Sequence, residues 1–129
     1  MKKIVNISSA PKPLAPYSQA VIANGTLYVS GQIAINPFDG KLVEGGVAAQ
    51  TRQVMENLGH ILKEAGMDYA NIVKCSIFMS NMDYYGEINE VYGEYFKTNP
   101  PAREAVQVSG LPLNVGVMVS CTAVVDSVH

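Results

Sequence analysis

The chain has 129 residues, of which 48% are hydrophobic and 16% charged, a composition typical of a globular protein; we expect one domain over residues 1–129. Its net charge is −2 and it has no run of basic residues, which argues against a nucleic-acid-binding surface, because phosphates are bound by clustered Lys and Arg. No stretch has transmembrane length, and residues 1–6 lack the apolar segment of a signal peptide. We therefore expect a cytoplasmic protein that does not contact membranes.

The first predicted elements are a strand and a hairpin. β-branched residues favour a short strand over residues 2–7, and prolines favour a loop over residues 8–16. Apolar runs at residues 20–23 and 26–30 then flank Asn24-Gly25. Both residues of this dipeptide tolerate the positive φ that a tight turn requires, so the two runs are predicted to pair as a β-hairpin.

A long helix is predicted where the hydrophobic period changes after residue 46. Apolar side chains and one threonine recur there at steps of three and four residues: Val47, Thr51, Val54, Leu58, Ile61, Leu62 and Ala65. Gly66 suits the left-handed conformation that ends a helix. His60 lies on this helix without a second ligand at a suitable spacing, so we expect a surface or hydrogen-bonded histidine and no metal site.

The second half of the chain predicts a strand, a second helix and two further strands. Asp83 is the expected N-cap of this helix, which carries tyrosines that are most simply explained by core and interface packing. Cys75 and Cys121 lie in apolar runs and are expected to be buried and unpaired. Residues 72–79 read as the strand before the helix, with one apolar face made of Val73, Cys75, Ile77 and Met79.

This order of elements predicts an α+β fold in which a mixed β-sheet carries two helices on one face. The last strand has one apolar face and one mixed face, the latter with Met118, Ser120 and Thr122. The helices would cover only the apolar face. A closed homo-oligomer would cover the other by packing it against copies of itself.

Arg103 is the most conspicuous candidate for a binding residue. Pro100 and Pro101 fix the backbone before it, and the following residues alternate, so that Arg103 and Ala105 point one way and Glu104 the other. A planar, permanently charged guanidinium suits a carboxylate ligand. The sequence leaves a second interpretation open, in which Arg103 simply reaches solvent or a surface glutamate.

Five segments together resemble the reactive intermediate deaminase family, also called the Rid or YjgF-like family. The resemblance covers essentially the whole chain, with the same element order. It implies a fold like that of the small chorismate mutases, a homotrimer with clefts between subunits, and hydrolysis of enamines and imines such as 2-aminoacrylate to 2-oxo acids and ammonia, without cofactor or metal. The matching segments are residues 16–20, residues 30–32, Asn36-Pro37 with Gly40, Asn89 with Tyr92, and residues 101–103 with Leu111-Pro112.

The resemblance also assigns roles to residues of this sequence. Arg103 would bind the substrate carboxylate and would act in catalysis with Tyr17. Ser30 and Asn89 would line the cleft beside Tyr17, and the backbone of Ala105 would contact the substrate, although related enzymes usually carry Cys at that position.

Met118 is the more serious departure, because active members carry a glutamate there that is thought to orient the attacking water. Met118 would line the cleft, but a methionine cannot accept a proton or hold water firmly. Two alternatives therefore stand beside the deaminase: a non-catalytic protein that binds small carboxylates or acts in regulation, and a trimeric interaction module with a vestigial cleft.

Overall fold

The computed structural model describes residues 1–126, and all of its strands join one six-stranded sheet. The order across the sheet is β1-β2-β3-β6-β4-β5. Neighbouring strands are antiparallel except β4 and β5, which are parallel, so the sheet is mixed, as predicted. The elements in chain order are β1 (Lys3–Val5), β2 (Ala20–Ala23), β3 (Thr26–Gln32), α1 (Gly46–Glu64), β4 (Ile72–Met79), α2 (Tyr85–Gly93), β5 (Ala102–Gln107) and β6 (Val117–Val124).

The hydrophobic core lies between the sheet and the two helices. Both helices pack on the same side of the sheet, here called the helix face, and the other side is called the open face. The α+β architecture with two helices on one face is therefore confirmed. The core combines alternate residues of the strands with the apolar side of both helices, including Leu27, Val54, Leu58, Ile61, Ile77, Ile88, Val117 and Val119.

The local signals that the sequence carries most strongly are confirmed. Asn24 and Gly25 both have positive φ, 51° and 77°, and connect β2 to β3 as a hairpin. Helix α1 ends just before Gly66, whose φ is 74°. His60 lies on this helix with its Nδ1 atom 2.6 Å from the carbonyl oxygen of Ser9, as expected of a satisfied histidine.

Two details of the second half differ from prediction. The pairing of β4 with β6 shifts register between Ile72 and Lys74, and this irregularity leaves Val73 46% exposed while Ile72 is buried. Asp83 does not cap the second helix. Instead, the side chain of Asn81 accepts a hydrogen bond from the backbone N–H of Asp83 and starts a 3-10 turn, after which α2 begins at Tyr85.

Both cysteines are buried and free, as predicted. They are register partners on β4 and β6, with their side chains on the helix face. Burial raises the pKa of the Cys75 and Cys121 thiols, so both are held in the protonated form. Within residues 1–126, no helix has the length and apolar character needed to cross a membrane.

Gly59 is required by close packing between α1 and the chain that follows it. A Cβ atom at this position would lie 2.9 Å from Cζ of Tyr69, whose hydroxyl donates a hydrogen bond to the Met55 carbonyl at 2.7 Å. We expect Gly59→Ala to lower the free energy of unfolding by about 1–3 kcal/mol, because the clash outweighs the roughly 1 kcal/mol that alanine gains in a helix. Urea denaturation would measure this difference.

Gly86 in α2 provides the matched control. Its φ is not positive, and an added Cβ there meets nothing within 4 Å. Gly86→Ala should therefore stabilise the protein by up to about 1 kcal/mol. Equal shifts of the same sign in the two variants would show that Tyr69 does not constrain Gly59.

Candidate functional site

The position of Arg103 follows from the two prolines and from the edge strand that they begin. Among residues 1–126, β5 is the last strand of the sheet and pairs with β4 alone, with Arg103 opposite Cys75. Register partners point to the same side of a sheet, and the Cys75 side chain is buried on the helix face. The Arg103 side chain therefore emerges on the helix face at the edge of the sheet, where α2 passes.

Two tyrosines of α2 hold the guanidinium. Arg103 Nη2 donates a hydrogen bond to the Tyr85 hydroxyl oxygen at 2.9 Å. The guanidinium carbon lies 5.6 Å from the centre of the Tyr85 ring and 5.0 Å from that of Tyr92, within the range of cation–π attraction. Arg103 is half-buried, so its head group is fixed on this aromatic surface rather than dispersed in solvent.

Within residues 1–126, Arg103 has no acidic partner. The other arginine, Arg52, forms a two-pronged ion pair with Glu94 at 3.1 Å. Glu104, next to Arg103 in sequence, points to the open face, where it pairs with Lys74 at 2.8 Å and accepts a hydrogen bond from Ser76. The interpretation of Arg103 as a partner of a surface glutamate is therefore wrong, and its charge is available for an anionic ligand.

The titratable groups around Arg103 differ in their electrostatics. Hydrogen bonding from Asn89, and then the bond and charge of Arg103, hold the pKa of Tyr85 below its usual value of 10. Burial and the neighbouring Cys75 raise the pKa of Tyr92. The Tyr92 hydroxyl is buried near the Cys75 thiol but has no hydrogen-bond partner within the described residues. Tyr92 thus forms a neutral wall of the site.

Two more of the predicted site residues lie beside Arg103. Ala105 follows it on the same side of β5, is half-buried, and pairs with Ile77 of β4. Asn89 is half-buried on α2, one helical turn after Tyr85. We call the set Arg103, Ala105, Tyr85, Asn89 and Tyr92 the arginine cluster. It joins the edge of the sheet to α2.

The remaining predicted site residues lie elsewhere. Tyr17 is 52% exposed in the loop before β2, near the opposite edge of the sheet from β5. The Ser30 hydroxyl donates to the carbonyl oxygen of Ser18 at 2.6 Å. Met118 lies on the open face beside Gly31, where a Cβ atom would stand only 2.8 Å from the Met118 sulfur. We call Ser30 and Met118 on the open face, taken together with the loop residue Tyr17, the open-face group.

One copy of the chain does not bring the two groups together. The arginine cluster lies on the helix face at the β5 edge, whereas Ser30 and Met118 lie on strands β3 and β6 with their side chains on the open face. A surface groove of about 260 Å³ lies between β1 and the end of α1, but its lining contains no member of either group. The arginine cluster, which combines a cation with hydrogen-bonding groups, is therefore the candidate site.

The sequence interpretation did not identify Tyr85 and Tyr92 as site residues. It assigned the tyrosines of α2 to core and interface packing, which describes Tyr92 but not Tyr85. The available signal was spacing, since Tyr85 and Asn89 are four residues apart and so occupy one side of the helix. Their alignment with an arginine from another strand could not be deduced from that spacing.

Comparison with known proteins agrees with the family resemblance of the sequence. The family model described as endoribonuclease L-PSP matches residues 7–125. The human protein named 2-iminobutanoate/2-iminopropanoate deaminase is 40% identical over 96% of this chain and 90% of its own length.

Two solved structures have the same fold. The Rid family protein YyfA from Yersinia pestis has a TM-score of 0.94 and 44% identity over 97% of this chain and 100% of its own. TdcF from E. coli, solved with bound serine, has a TM-score of 0.92 and 32% identity over 96% and 99% of the two chains.

Proposed function

The chain belongs to the endoribonuclease L-PSP family, which includes the Rid proteins, and from that premise we propose that it is a hydrolytic deaminase of reactive enamine and imine intermediates. Its substrates would be of the 2-aminoacrylate and 2-iminopropanoate type, and its products 2-oxo acids and ammonia. The activity named for the human relative supports this proposal, as does the serine bound to TdcF, because serine carries the same α-carboxylate as these substrates.

The observation that carries the proposal is the guanidinium of Arg103, which has no acidic partner among residues 1–126. A small 2-imino acid presents one strong recognition feature, its carboxylate, and the planar guanidinium fork matches the geometry of that group. Stacking on Tyr85 and Tyr92 fixes the fork in advance, so less conformational entropy is lost when the ligand binds. The rest of the substrate would extend along the β5 backbone at Ala105 and past Asn89.

The chemistry requires positioning and proton transfer. The enamine becomes an imine when its terminal carbon gains a proton and its nitrogen loses one, and water then adds to the imine carbon. The resulting carbinolamine loses ammonia to leave the 2-oxo acid. Holding the carboxylate fixes the imine carbon next to one water, and such positioning supplies a large part of the rate. No step transfers electrons to or from an external group, so we propose a reaction without a cofactor.

We also propose that the working protein is a homotrimer with its sites between subunits. The open face exposes apolar side chains, with Tyr28 54% and Val106 42% exposed, which supports burial against other copies. Such packing would bring the open-face group of one subunit to the arginine cluster of its neighbour. Tyr17 and Ser30 would then line a cleft that also contains Arg103.

Subunit mixing tests this arrangement. Arg103→Ala and Tyr17→Ala should each lose nearly all activity alone. Trimers assembled from an equal mixture should regain about a quarter of wild-type activity, because one site in four would combine an intact arginine with an intact tyrosine from the neighbouring subunit. Sedimentation should give three times the 13.9 kDa chain mass. A monomeric mass, or no recovery on mixing, would contradict intersubunit sites.

The ribonuclease activity named in the family description fits the charges of this protein less well than the deaminase activity does. The chain has 9 basic against 11 acidic residues, whereas RNA backbones are bound by clustered cations. One of its two arginines, Arg52, is engaged by Glu94, and His60 is bonded to the Ser9 carbonyl. Arg103 alone suits a single carboxylate better than a chain of phosphates.

The direct test is a coupled assay. Serine dehydratase releases 2-aminoacrylate, and pyruvate is followed with and without this protein. We expect pyruvate to form faster with the protein than by spontaneous hydrolysis in buffer, whereas unchanged rates at equal dehydratase activity would refute the proposal. We also propose that residues 1–129 form a single domain and that the protein is cytoplasmic.

A further inference from the structure

Hydrolysis of an imine needs a group that exchanges protons, and few side chains near Arg103 could provide one. The imine nitrogen must gain protons before ammonia leaves, and the attacking water must lose one. Met118 cannot do either, because a thioether has no transferable proton. Glu104 points to the opposite side of the sheet, where Lys74 and Ser76 engage it.

We propose that the hydroxyl of Tyr85 is the catalytic proton shuttle of this site. This inference rests on the proposed deaminase function and adds a named acid–base residue to it. Tyr85 is the first residue of α2 and is 38% exposed, so its hydroxyl can meet a ligand held by Arg103.

The hydrogen bond with Arg103 fixes both the place and the orientation of this hydroxyl. The guanidinium donates to the Tyr85 oxygen at 2.9 Å and has no acceptor atom of its own. The O–H of Tyr85 therefore cannot point back to Arg103 and is free to donate to another group. A carboxylate on the guanidinium would place the adjacent imine carbon and nitrogen within a few ångströms of that O–H.

The neighbouring titratable groups are less suited to the task. Tyr92 on the same helix and Cys75 on β4 both have raised pKa values because they are buried. The pKa of Tyr85 is lowered, by Asn89 and by the positive charge of Arg103 on β5. Its tyrosinate form is therefore less costly than that of an ordinary tyrosine, as a group that gives up and regains a proton requires.

The proposed step is balanced in protons at each stage. Tyr85 gives its proton to the imine nitrogen while water forms a bond to the imine carbon and returns a proton to the tyrosinate oxygen. In the second stage Tyr85 protonates the amino nitrogen of the carbinolamine. The C–N bond breaks, ammonia leaves, and the carbinolamine hydroxyl returns its proton to Tyr85 as the C=O bond forms.

The test compares wild type with Tyr85→Phe, which keeps the ring beside Arg103 and removes only the hydroxyl. We expect kcat in the coupled assay to fall about 10²-fold, within the usual range for general acid–base catalysis. Binding of 2-oxobutanoate, measured by calorimetry, should change less than about threefold, because the guanidinium that holds the carboxylate remains. Tyr95→Phe is the matched control, since its hydroxyl contacts Glu56 instead, and it should behave like wild type.

The pH profile separates proton transfer from a structural role. Tyr85 must carry its proton to donate it, so wild-type kcat should fall as the pH rises through the pKa of this residue, below 10. Tyr85→Phe should lack this alkaline limb. Parallel losses of rate and of 2-oxobutanoate binding would overturn the inference, because Tyr85 would then only position Arg103.

The outcomes distinguish this inference from the proposed function. An active wild type with an equally active Tyr85→Phe would overturn the role of Tyr85 alone and leave the deaminase intact, with another group such as Tyr17 as the proton carrier. If Tyr85→Phe keeps both its activity and the fall of kcat at high pH, the role of Tyr85 is likewise overturned while the deaminase function stands. An inactive wild type would defeat the deaminase and this inference together.

Discussion

Arg103→Ala should reduce kcat/KM for 2-iminopropanoate by about 10²–10³-fold, because truncating one partner of a charged pair costs about 3–4 kcal/mol. The guanidinium has no carboxylate partner within the described chain, so its removal leaves no buried charge behind. The fold should tolerate the change, since Arg103 lies at the start of an edge strand. Pyruvate formation in the dehydratase assay measures the loss, and circular dichroism checks the fold.

Two arginine variants make this result specific. Arg52→Ala removes the other arginine, which is paired with Glu94 at the protein surface, and it should leave the activity at the wild-type level. Arg103→Lys keeps the charge but loses the planar guanidinium and its stacking on Tyr85 and Tyr92. Its activity should therefore lie between those of wild type and Arg103→Ala. Equal activity in wild type and Arg103→Ala would contradict the carboxylate-binding role.

Those elements that local chemistry determines could be predicted from the sequence. The hairpin turn at Asn24-Gly25 needs only two residues that adopt positive φ. Helix α1 needs only apolar residues at helical spacing and a glycine at which the helix ends. The alternation of β6 similarly predicts which of its residues are buried, and Val117, Val119, Cys121 and Ala123 are. Each of these predictions depends on neighbours a few residues apart, which the sequence displays directly.

The features that were missed depend on partners distant in sequence. Val73 is exposed because β4 shifts register against β6, and no residue within β4 marks that irregularity. Helix α2 starts at Tyr85 rather than after an Asp83 cap. The side chain of Asn81 accepts a hydrogen bond from the Asp83 N–H, and this bond starts a 3-10 turn before the helix. The contact of Arg103 with Tyr85 arises from the parallel pairing of β5 with β4.

The candidate site shows the same division. Prolines and alternation predicted Arg103 as a candidate binding residue, and the resemblance supplied the other candidates. One subunit unites Arg103, Asn89 and Ala105 on the helix face. Ser30 and Met118 lie on the open face, and Tyr17 lies in the loop before β2. In the proposed homotrimer each chain would contribute two half-sites, and a sequence pattern cannot indicate which copies meet. The proposed homotrimer is the arrangement in which both halves become one cleft.

Gln19→Leu should lower the free energy of unfolding by about 3–5 kcal/mol, because it leaves several backbone groups without partners at once. The Gln19 side chain is only 1% exposed. Its oxygen accepts from the N–H of Ile7 at 2.7 Å, and its nitrogen donates to the carbonyls of Ile7, Ala10 and Pro11 at 2.9–3.2 Å. Urea unfolding at fixed protein concentration measures the loss.

Two further variants show whether the hydrogen bonds or the volume matter. Gln107→Leu removes one bond, to the Met82 N–H at 2.8 Å, from an exposed glutamine, and it should cost about 1 kcal/mol at most. Gln19→Glu keeps the shape but buries a carboxylate against carbonyl oxygens, which raises its pKa. Its destabilisation should therefore shrink as the pH falls and the carboxyl becomes protonated.

A loss below about 1 kcal/mol in Gln19→Leu would show that the loop before β2 is held by other contacts. The expected large loss of stability should also affect activity, because the loop that Gln19 holds in place ends at Tyr17. If this amide holds residues 6–11 against the sheet, it also fixes the segment that presents Tyr17 to a neighbouring subunit. Gln19→Leu should then weaken both folding and activity, although the Gln19 side chain is buried.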